Sequence, residues 1–213
     1  MFTDSPRLQL LRRIVILIGA GLIAPICVAQ QDGMRFTQFA GFTLGKGTLA
    51  DVTRALGDVP RVHTGDAGES TTSVCYRTKA GFVAFLAGEL DGPRHSLGGY
   101  WLSQKATRPP CAAWPQKIKQ PQLEVSGLRL GMTRDQFNQI VQVLVEGHDG
   151  WTYGYFESRR PILPTELDGL PPEQRDAIKR GEMQDYVDVG ISISTRFLSR
   201  RLTELRVWKS ETR

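Results

Sequence analysis

The stretch GFTLG at residues 41–45 recurs as GLRLG at residues 127–131, and a helix start follows each copy. Thr48 in the first copy and Thr133 in the second each precede an acidic or amide side chain by three residues. This spacing is typical of a threonine N-cap with a reciprocating side chain in the first helical turn. Because a repeat bears on the architecture before any single residue does, the sequence predicts two structurally similar units.

Each predicted helix carries an apolar stripe on one side and is followed by three strand-like segments. The stripes consist of Leu49, Val52, Ala55 and Leu56 before a stop at Gly57, and of Phe137, Ile140, Val141 and Leu144 before a stop at Gly147. The strands are predicted at residues 72–78, 81–87 and 97–103, and at residues 151–157, 186–195 and 202–209. One helix over three strands buries little by itself, so the two units are expected to share a core.

The predicted fold class is α+β, with two tandem units that each consist of a short helix followed by a three-stranded antiparallel sheet. Prolines between the units favour an extended linker. The second unit contains a long insertion, which is expected to be either functional or disordered, and residues 172–180 within it predict a short charged helix. The predicted boundaries are 30–103 for the first unit, 104–124 for the linker, 125–213 for the second unit and 158–184 for the insertion.

Residues 1–29 have the pattern of a secretory signal peptide. Arginines precede an apolar run at residues 14–29, and Cys27 and Ala29 are the small residues before the expected cut. The alternative is an uncleaved anchor helix, but the run is shorter than the ~20 apolar residues that span a bilayer. We therefore expect a periplasmic or secreted protein with no stable membrane anchor after cleavage.

The composition is that of a globular protein. The 213 residues are 40% hydrophobic and 23% charged, which argues against a disordered or collagen-like chain. The formal net charge is +5, but no Lys/Arg cluster is interleaved with stacking aromatic residues. Nucleic acid is therefore not an expected partner.

Cleavage of the signal peptide would leave two cysteines, Cys75 and Cys111. In an oxidising compartment such a pair most simply forms one disulfide, which would fasten the linker to the first unit. The alternative is two unpaired buried thiols.

The Gly-x-x-Leu-Gly entry, the threonine-capped helix and the three strands resemble the SmpA/OmlA family of small outer-membrane lipoproteins, with the closest similarity at residues 130–136, LGMTRDQ. Two such units with a disulfide are also similar in plan to the secreted beta-lactamase inhibitor proteins. The first resemblance implies a part in outer-membrane protein assembly, and the second implies paired sheets that grip another protein. Because the similarity lies in the scaffold, it assigns no binding residues to this chain.

The sequence offers no complete set of residues for catalysis, metal binding or cofactor binding. Its three histidines lack zinc-ligand spacing, and neither a nucleophile elbow nor a phosphate loop is present. His148 and Asp149, between two glycines, form a candidate acid–base pair, although turn chemistry alone explains them. We expect no enzymatic activity, no metal and no cofactor, with a small exported hydrolase as an alternative.

Aromatic residues alternate along the first strand of the second unit. Trp151, Tyr153 and Tyr155 therefore project from one face of the sheet, and Arg206 and Trp208 lie on the last strand of the same unit. If this face points away from the helix, it has the composition of binding hot spots. If it points toward the helix, the rings fill the core, which the usual burial of large rings slightly favours. The same question arises in the first unit for Tyr76, Tyr100 and Trp101.

Polar residues extend the second unit's candidate surface. Asp188 and Ser192 are expected opposite the aliphatic face of the middle strand, and Glu204 and Arg206 on the last strand would continue this surface. Ordinary solvation explains such residues, and a recognition groove is the alternative.

Taken together, these patterns predict a non-enzymatic protein-binding module that acts as an inhibitor, an immunity-type factor or an envelope assembly accessory. The expected partner is another protein of the cell envelope or the extracellular space. A binder of small molecules or cell-wall fragments, using the cleft between the units, is a further alternative.

Overall fold

The computed structural model describes residues 33–67, 69–105, 110–142, 145–146 and 150–213. Within these ranges the chain is α+β, and its sheets are mostly antiparallel. The predicted signal peptide lies outside the described residues. No helix among them is long and apolar enough to cross a membrane.

The described helices are α1 (Leu49–Leu56), α2 (Arg134–Ile140), α3 (Pro164–Asp168) and α4 (Pro172–Lys179), with 3-10 segments at Gly33–Thr37 and Glu89–Asp91. The strands are β1 (Gln38–Phe39), β2 (Phe42–Thr43), β3 (Val62–Thr64), β4 (Thr71–Thr78), β5 (Gly81–Gly88), β6 (Gly99–Ser103), β7 (Ala112–Ala113), β8 (Glu124–Val125), β9 (Leu128–Arg129), β10 (Val145–Glu146), β11 (Trp151–Pro161), β12 (Tyr186–Leu198) and β13 (Arg201–Thr212).

Most strands form one sheet in the order β10-β11-β12-β13-β6-β5-β4-β3, and β7 pairs in parallel with β4. This differs from the two three-stranded sheets that the sequence predicts. The difference arises because β6, the last strand of the first predicted unit, pairs with β13, the last strand of the second. An unpaired edge exposes backbone N–H and C=O groups, so this pairing removes two edges and joins the strands into a single sheet.

One face of this main sheet packs against α1 and α2. Aromatic and aliphatic side chains from the helices, the 3-10 segment and the strands meet there in a single buried cluster. The largest fully buried members include Phe36, Tyr76, Phe85, Tyr100 and Phe137. Burial of this apolar surface is the main driving force that holds the helices on the sheet.

The predicted capping boxes are confirmed at both helix starts. Thr48 Oγ1 accepts a hydrogen bond from the Asp51 N–H, and the Asp51 carboxylate accepts one from the Thr48 N–H. Thr133 and Gln136 make the same reciprocal pair in α2. Ala55, predicted on the buried stripe of α1, is exposed instead because it lies at the margin of that stripe.

The second helix is shorter than predicted. It ends at Ile140, not before Gly147. Three valines follow within five residues, and β-branched side chains favour extended backbone. Val145 and Glu146 of β10 accordingly pair with β11 at the edge of the main sheet.

A two-stranded hairpin precedes each of these helices. In β1–β2 the turn residues Ala40 and Gly41 have φ angles of 51° and 86°, and in β8–β9 Ser126 and Gly127 have φ angles of 47° and 87°. Two consecutive positive φ values are typical of the type I′ turn, which matches the twist of the flanking strands.

The chain after each hairpin is hydrogen-bonded in the same way to the start of a later strand. The Gly45 N–H donates to the Leu97 carbonyl over 2.7 Å, and the Gly131 N–H donates to the Leu202 carbonyl over 2.7 Å. Leu97 and Leu202 are both buried. The β1–β2 hairpin is thereby bound to the residues just before β6, and the β8–β9 hairpin to the start of β13. β6 and β13 are the two central strands of the main sheet.

The predicted insertion is ordered secondary structure. β11 extends into it as far as Pro161, which pairs with Tyr186 at the start of β12, and the two strands pair from there back to Trp151 opposite Arg196. α3 and α4 fill the rest, and α4 matches the helix predicted at residues 172–180.

Arg160 ties α3 to the main sheet. Its guanidinium donates to both carboxylate oxygens of Glu166 over 2.6 and 2.7 Å, and it also binds Glu211 on β13. The hydrogen bond from Arg160 holds the pKa of Glu166 at about 2. Burial alone would raise the pKa of Glu211, but hydrogen bonds from Arg160 and Lys209 bring it below its ordinary value.

The predicted disulfide between Cys75 and Cys111 is confirmed, with the two Cα atoms 4.6 Å apart. Cys75 lies on β4, and Cys111 directly precedes β7, which pairs with β4 from Tyr76 onward. The bond therefore fastens the part of the linker around Cys111 to β4 of the main sheet.

The disulfide predicts a measurable share of the stability. Closing a chain segment of 36 residues restricts the unfolded state by about 3–4 kcal/mol on the chain-entropy argument. We expect the Cys75→Ser/Cys111→Ser double variant to lose that amount of its free energy of unfolding and to unfold at a lower urea concentration. Reductant should shift the unfolding midpoint of the natural chain but not that of the variant. A natural chain indifferent to reductant would contradict this expectation.

The Arg160 contacts predict an acid-sensitive contribution to stability. Because the pKa of Glu166 is about 2 in the folded chain against an ordinary 4.5, the contribution is present above pH 4.5 and is lost as the pH falls toward 2. We expect Glu166→Gln to lower the melting temperature at pH 7 and to have no effect near pH 2. Glu173→Gln, at an exposed position of α4, is the control.

Candidate functional site

The face of the main sheet opposite α1 and α2 carries all eight predicted binding residues. We call it the open face, and it consists of the strand residues that alternate with those of the buried cluster. Cross-strand pairing places them side by side on this face: Trp151, Tyr153, Tyr155, Asp188, Ser192, Glu204, Arg206 and Trp208. The predicted set is thus brought together, although the slight preference for the rings as core is wrong.

Two rows of paired residues form the centre of the open face. Across β11, β12, β13 and β6, one row is Tyr155, Ser192, Trp208 and Gly99, and the next is Tyr153, Ser194, Arg206 and Trp101. Large and small side chains alternate along the first row, and in the second row Ser194 separates Tyr153 from the adjacent large residues Arg206 and Trp101. The serines and the glycine leave room for the rings to lie over the sheet.

Two tyrosines are the most accessible of the rings. Tyr153 is 43% exposed and Tyr155 is 51% exposed, although both belong to a strand in the interior of the sheet. On the same face of this strand Tyr153 lies between half-buried Trp151 and Tyr155. A side chain of this size usually loses most of its exposure in a fold, so the two rings constitute uncovered aromatic surface.

Trp208 lies on a seat made by glycines. A Cβ atom on Gly99 would overlap the indole at Cε3, and one on Gly88 would lie 2.9 Å from Cζ2. The indole therefore extends from β13 across β6 to the end of β5. Its flat position depends on the missing side chains at these two residues.

The side chain of Tyr155 packs closely over Gly190, as the Trp208 indole packs over Gly99. A Cβ atom on Gly190 would meet the Tyr155 hydroxyl, and it would lie 2.8 Å from Ser210 Oγ. The phenol ring thus leans over β12 toward β13. Glycines at positions 99 and 190 thereby hold two aromatic rings of the open face against the sheet.

Arg206 stacks between two indoles. Its guanidinium carbon lies 3.7 Å from the ring centroid of Trp101 on β6 and 4.9 Å from that of Trp151 on β11. Such cation–π contacts are worth about 0.5–2 kcal/mol each. They connect Arg206 of β13 with β6 on one side and with β11 on the other.

The acidic residues of the predicted set are paired with arginines. Asp188 Oδ1 lies 3.0 Å from Arg159 Nε, and Glu204 Oε1 lies 3.7 Å from Arg196 Nη1. Both arginine side chains are more than half exposed, and such surface pairs contribute little to stability. The pairs therefore leave the open face with alternating charges at its border and aromatic rings at its centre.

A groove of about 390 Å³ lies on the open face between β3 and Trp208. Its floor is formed by the small cluster of Cys75, Ala84 and Leu86. Hydroxyl groups line one wall, and two indoles and one guanidinium line the other. The lining residues are Val62, Thr64, Thr71, Ser73, Cys75, Ala84, Leu86, Trp101, Arg206 and Trp208.

The aromatic residues of the first predicted unit divide between the two faces. Tyr76 and Tyr100 belong to the core, where their hydroxyls donate to the carbonyls of Gly57 and Phe36 over 2.7 and 2.6 Å. Burial raises the pKa of Tyr76 to about 12. Trp101, the next residue after Tyr100, points to the open face and completes the stack with Arg206.

Sequence reasoning left the orientation of Trp101 open, and it missed the glycine seats and the groove. Tyr100 and Trp101 are adjacent large aromatic residues, so alternation alone gives no reason to choose between them. The signal that points to the seats is a glycine inside a predicted strand, which often marks a close approach of other atoms.

No three His, Cys, Asp or Glu side chains among the described residues are placed to hold a metal ion. His148 and Asp149, the candidate acid–base pair, lie outside the described residues. Comparison with protein-family models, curated proteins and solved structures found no match.

The seat of Trp208 predicts the effect of a single methyl group. Gly99→Ala places a Cβ atom against the indole and 2.9 Å from the Val207 carbonyl oxygen. We expect a loss of about 1–3 kcal/mol, as for other overpacked sites, and stronger quenching of tryptophan fluorescence by acrylamide as the ring lifts. Gly169→Ala, which meets other atoms only at 3.5 Å or more, is the matched control. Equal stability of the two variants would show that Trp208 does not depend on this seat.

Proposed function

We propose that the chain is a secreted or periplasmic, non-enzymatic module that binds another protein through the open face. The observation that carries this proposal is the uncovered aromatic surface around Tyr153 and Tyr155, next to the stacked Arg206. Tyrosine, tryptophan and arginine are the residues most enriched in binding hot spots. An inhibitor, an immunity-type factor or an assembly accessory of the envelope would use such a surface.

The rigidity of the open face supports a role in recognition. Its rings rest on extended, hydrogen-bonded strands, and Trp208 and Tyr155 lie over glycines. A surface that is already ordered loses little side-chain entropy on association. Buried packing on the opposite face keeps the strands in place.

We infer further that the sheet is built from two tandem halves, each a hairpin, a capped helix and three antiparallel strands. The matching type I′ turns support this, as do the capping boxes of α1 and α2. The equivalent hydrogen bonds of Gly45 and Gly131 support it as well. In this arrangement β6 and β13 are the corresponding third strands, and they meet at a pseudo-twofold junction in the sheet.

The disulfide supports the proposed location. Disulfides persist in oxidising compartments such as the bacterial periplasm and the extracellular space. Together with the signal-like pattern of residues 1–29, the bond between Cys75 and Cys111 favours a partner in the envelope or outside the cell.

Replacing the two exposed tyrosines tests the proposal. We expect Tyr153→Ala/Tyr155→Ala to keep the melting temperature within a few degrees, because both rings are about half exposed. Protein capture from an envelope extract should fall by tenfold or more, on the order of two hot-spot contacts. A photo-crosslinking amino acid at position 155 should become covalently joined to the captured protein.

Leu198→Ala provides the matched control, because Leu198 is 58% exposed but lies at the far end of β12. Capture should be unaffected by this change. Equal capture by the tyrosine variant and the natural chain, with no crosslink from position 155, would refute binding through the open face.

A cell-wall fragment is the second candidate ligand, and the groove beside Trp208 favours it. A volume of about 390 Å³ lies within the range of small-molecule sites. Its indole and hydroxyl lining suits the apolar face and the hydroxyl groups of a sugar ring. Purified soluble muropeptides should then raise the melting temperature in a dose-dependent way.

A further inference from the structure

We propose that a second groove receives a basic side chain of the partner protein, between the Trp208 indole and the Asp91 carboxylate. We call it the end groove, because it lies where β5 and β13 end and β6 begins. Its volume is about 490 Å³, and its lining includes Ser70, Gly88, Asp91, Gly98, Trp208 and Glu211. This inference rests on the proposed function and deepens it, because it assigns a chemistry to the partner.

The end groove is continuous with the open face. Trp208 and Thr71 line both this groove and the groove of about 390 Å³, so the indole stands between the two. Tyr155 lies two strands away in the same row as Trp208, a distance of about 10 Å at the usual strand spacing. A single segment of a protein bound over Tyr155 can therefore reach the end groove with one long side chain.

Glycines bring the Asp91 carboxylate next to the indole. A Cβ atom on Gly98 would overlap this carboxylate, and one on Gly88 would lie 2.9 Å from Trp208 Cζ2 and 3.4 Å from Asp91 Oδ2. The edge of the ring and the carboxylate are thus neighbours. A basic side chain fits this arrangement, because it can lie over an indole by a cation–π contact and donate to carboxylate oxygens at its tip.

The charge of the end groove is negative. Four of its lining residues are acidic and one, Lys209, is basic. The Lys209 ammonium is 9% exposed and forms an ion pair with Glu211, so it does not balance the other carboxylates. Glu89 accepts a hydrogen bond from a serine hydroxyl, and its charge is not required here. Asp91 and exposed Glu69 suffice to make a cation the complementary group.

The Asp91 carboxylate is only partly compensated by the protein. Its Oδ2 accepts a hydrogen bond from the Gly88 N–H, and His95 supplies some positive charge nearby. Burial nevertheless raises the pKa of Asp91, because these contacts do not offset the loss of hydration. A cation bound beside this carboxylate would supply the missing compensation.

A displayed library of disulfide-constrained random peptides, selected on the full exported chain, tests this inference. We expect the enriched sequences to share an arginine or a lysine. Replacing that residue by a neutral side chain of the same length, citrulline for arginine or norleucine for lysine, should weaken binding by about tenfold or more, since a charge-assisted contact is lost. This measurement uses the natural chain, so it does not depend on the folding of a variant.

Variants of the chain locate the contact. Asp91→Asn keeps an oxygen for the Gly88 N–H but removes the charge, so it should weaken the same peptides by about tenfold. Glu69→Gln, at an exposed position that the fold does not need, should weaken them by up to about fivefold, as for an exposed ion pair. Asp176→Asn, at an exposed position of α4, is the matched control and should bind normally.

Several results would overturn the inference. Enriched peptides without a basic residue, neutral forms that bind as well as the basic ones, or peptides indifferent to both Asp91→Asn and Glu69→Gln would each exclude the end groove from recognition. Free arginine amide that binds as tightly as the peptides would assign the groove to a small cation instead of a protein segment. A library that enriches no sequence would likewise count against it.

The same peptides separate this inference from the proposed function. If peptides that ignore the end groove still lose binding in Tyr153→Ala/Tyr155→Ala, protein binding by the open face stands and only the chemistry of the groove is wrong. If no open-face substitution affects them either, both proposals fail.

Discussion

The pairing of β6 with β13 is the constraint on which the rest of the molecule depends. It joins the strands of the two predicted units into one sheet and places Trp101 directly opposite Arg206. Without it, each set of strands would present an unpaired edge to solvent. The open face, its central rows and the groove all cross this junction, so they are products of the pairing and not of either set of strands alone.

Because one face of the main sheet supplies the buried core, the side chains of the open face can remain accessible to solvent. The cluster that contains Phe85, Tyr100 and Phe137 supplies the apolar burial that folding requires. Residues on the open face are therefore not needed to fill the core, and rings as accessible as Tyr155 persist there. The glycines at positions 99 and 190 show that the sheet also accommodates these rings closely.

Local chemistry made much of the fold predictable. The N-cap residues Thr48 and Thr133 correctly predicted both helix starts. Alternation along β11 correctly predicted that Trp151, Tyr153 and Tyr155 share one face. The pairing of β6 with β13 was not predictable, because alternation with a period of two residues shows which side chains share a face but not which strand edges pair. The predicted length of α2 was wrong, because after Ile140 the helical spacing of apolar residues competes with the preference of β-branched valines for extended backbone.

The Trp101–Arg206–Trp151 stack draws Trp101 from β6, before the linker, and Arg206 and Trp151 from β13 and β11, after it. A gene fragment that encodes only the chain before the linker, or only the chain after it, specifies an incomplete version of this arrangement.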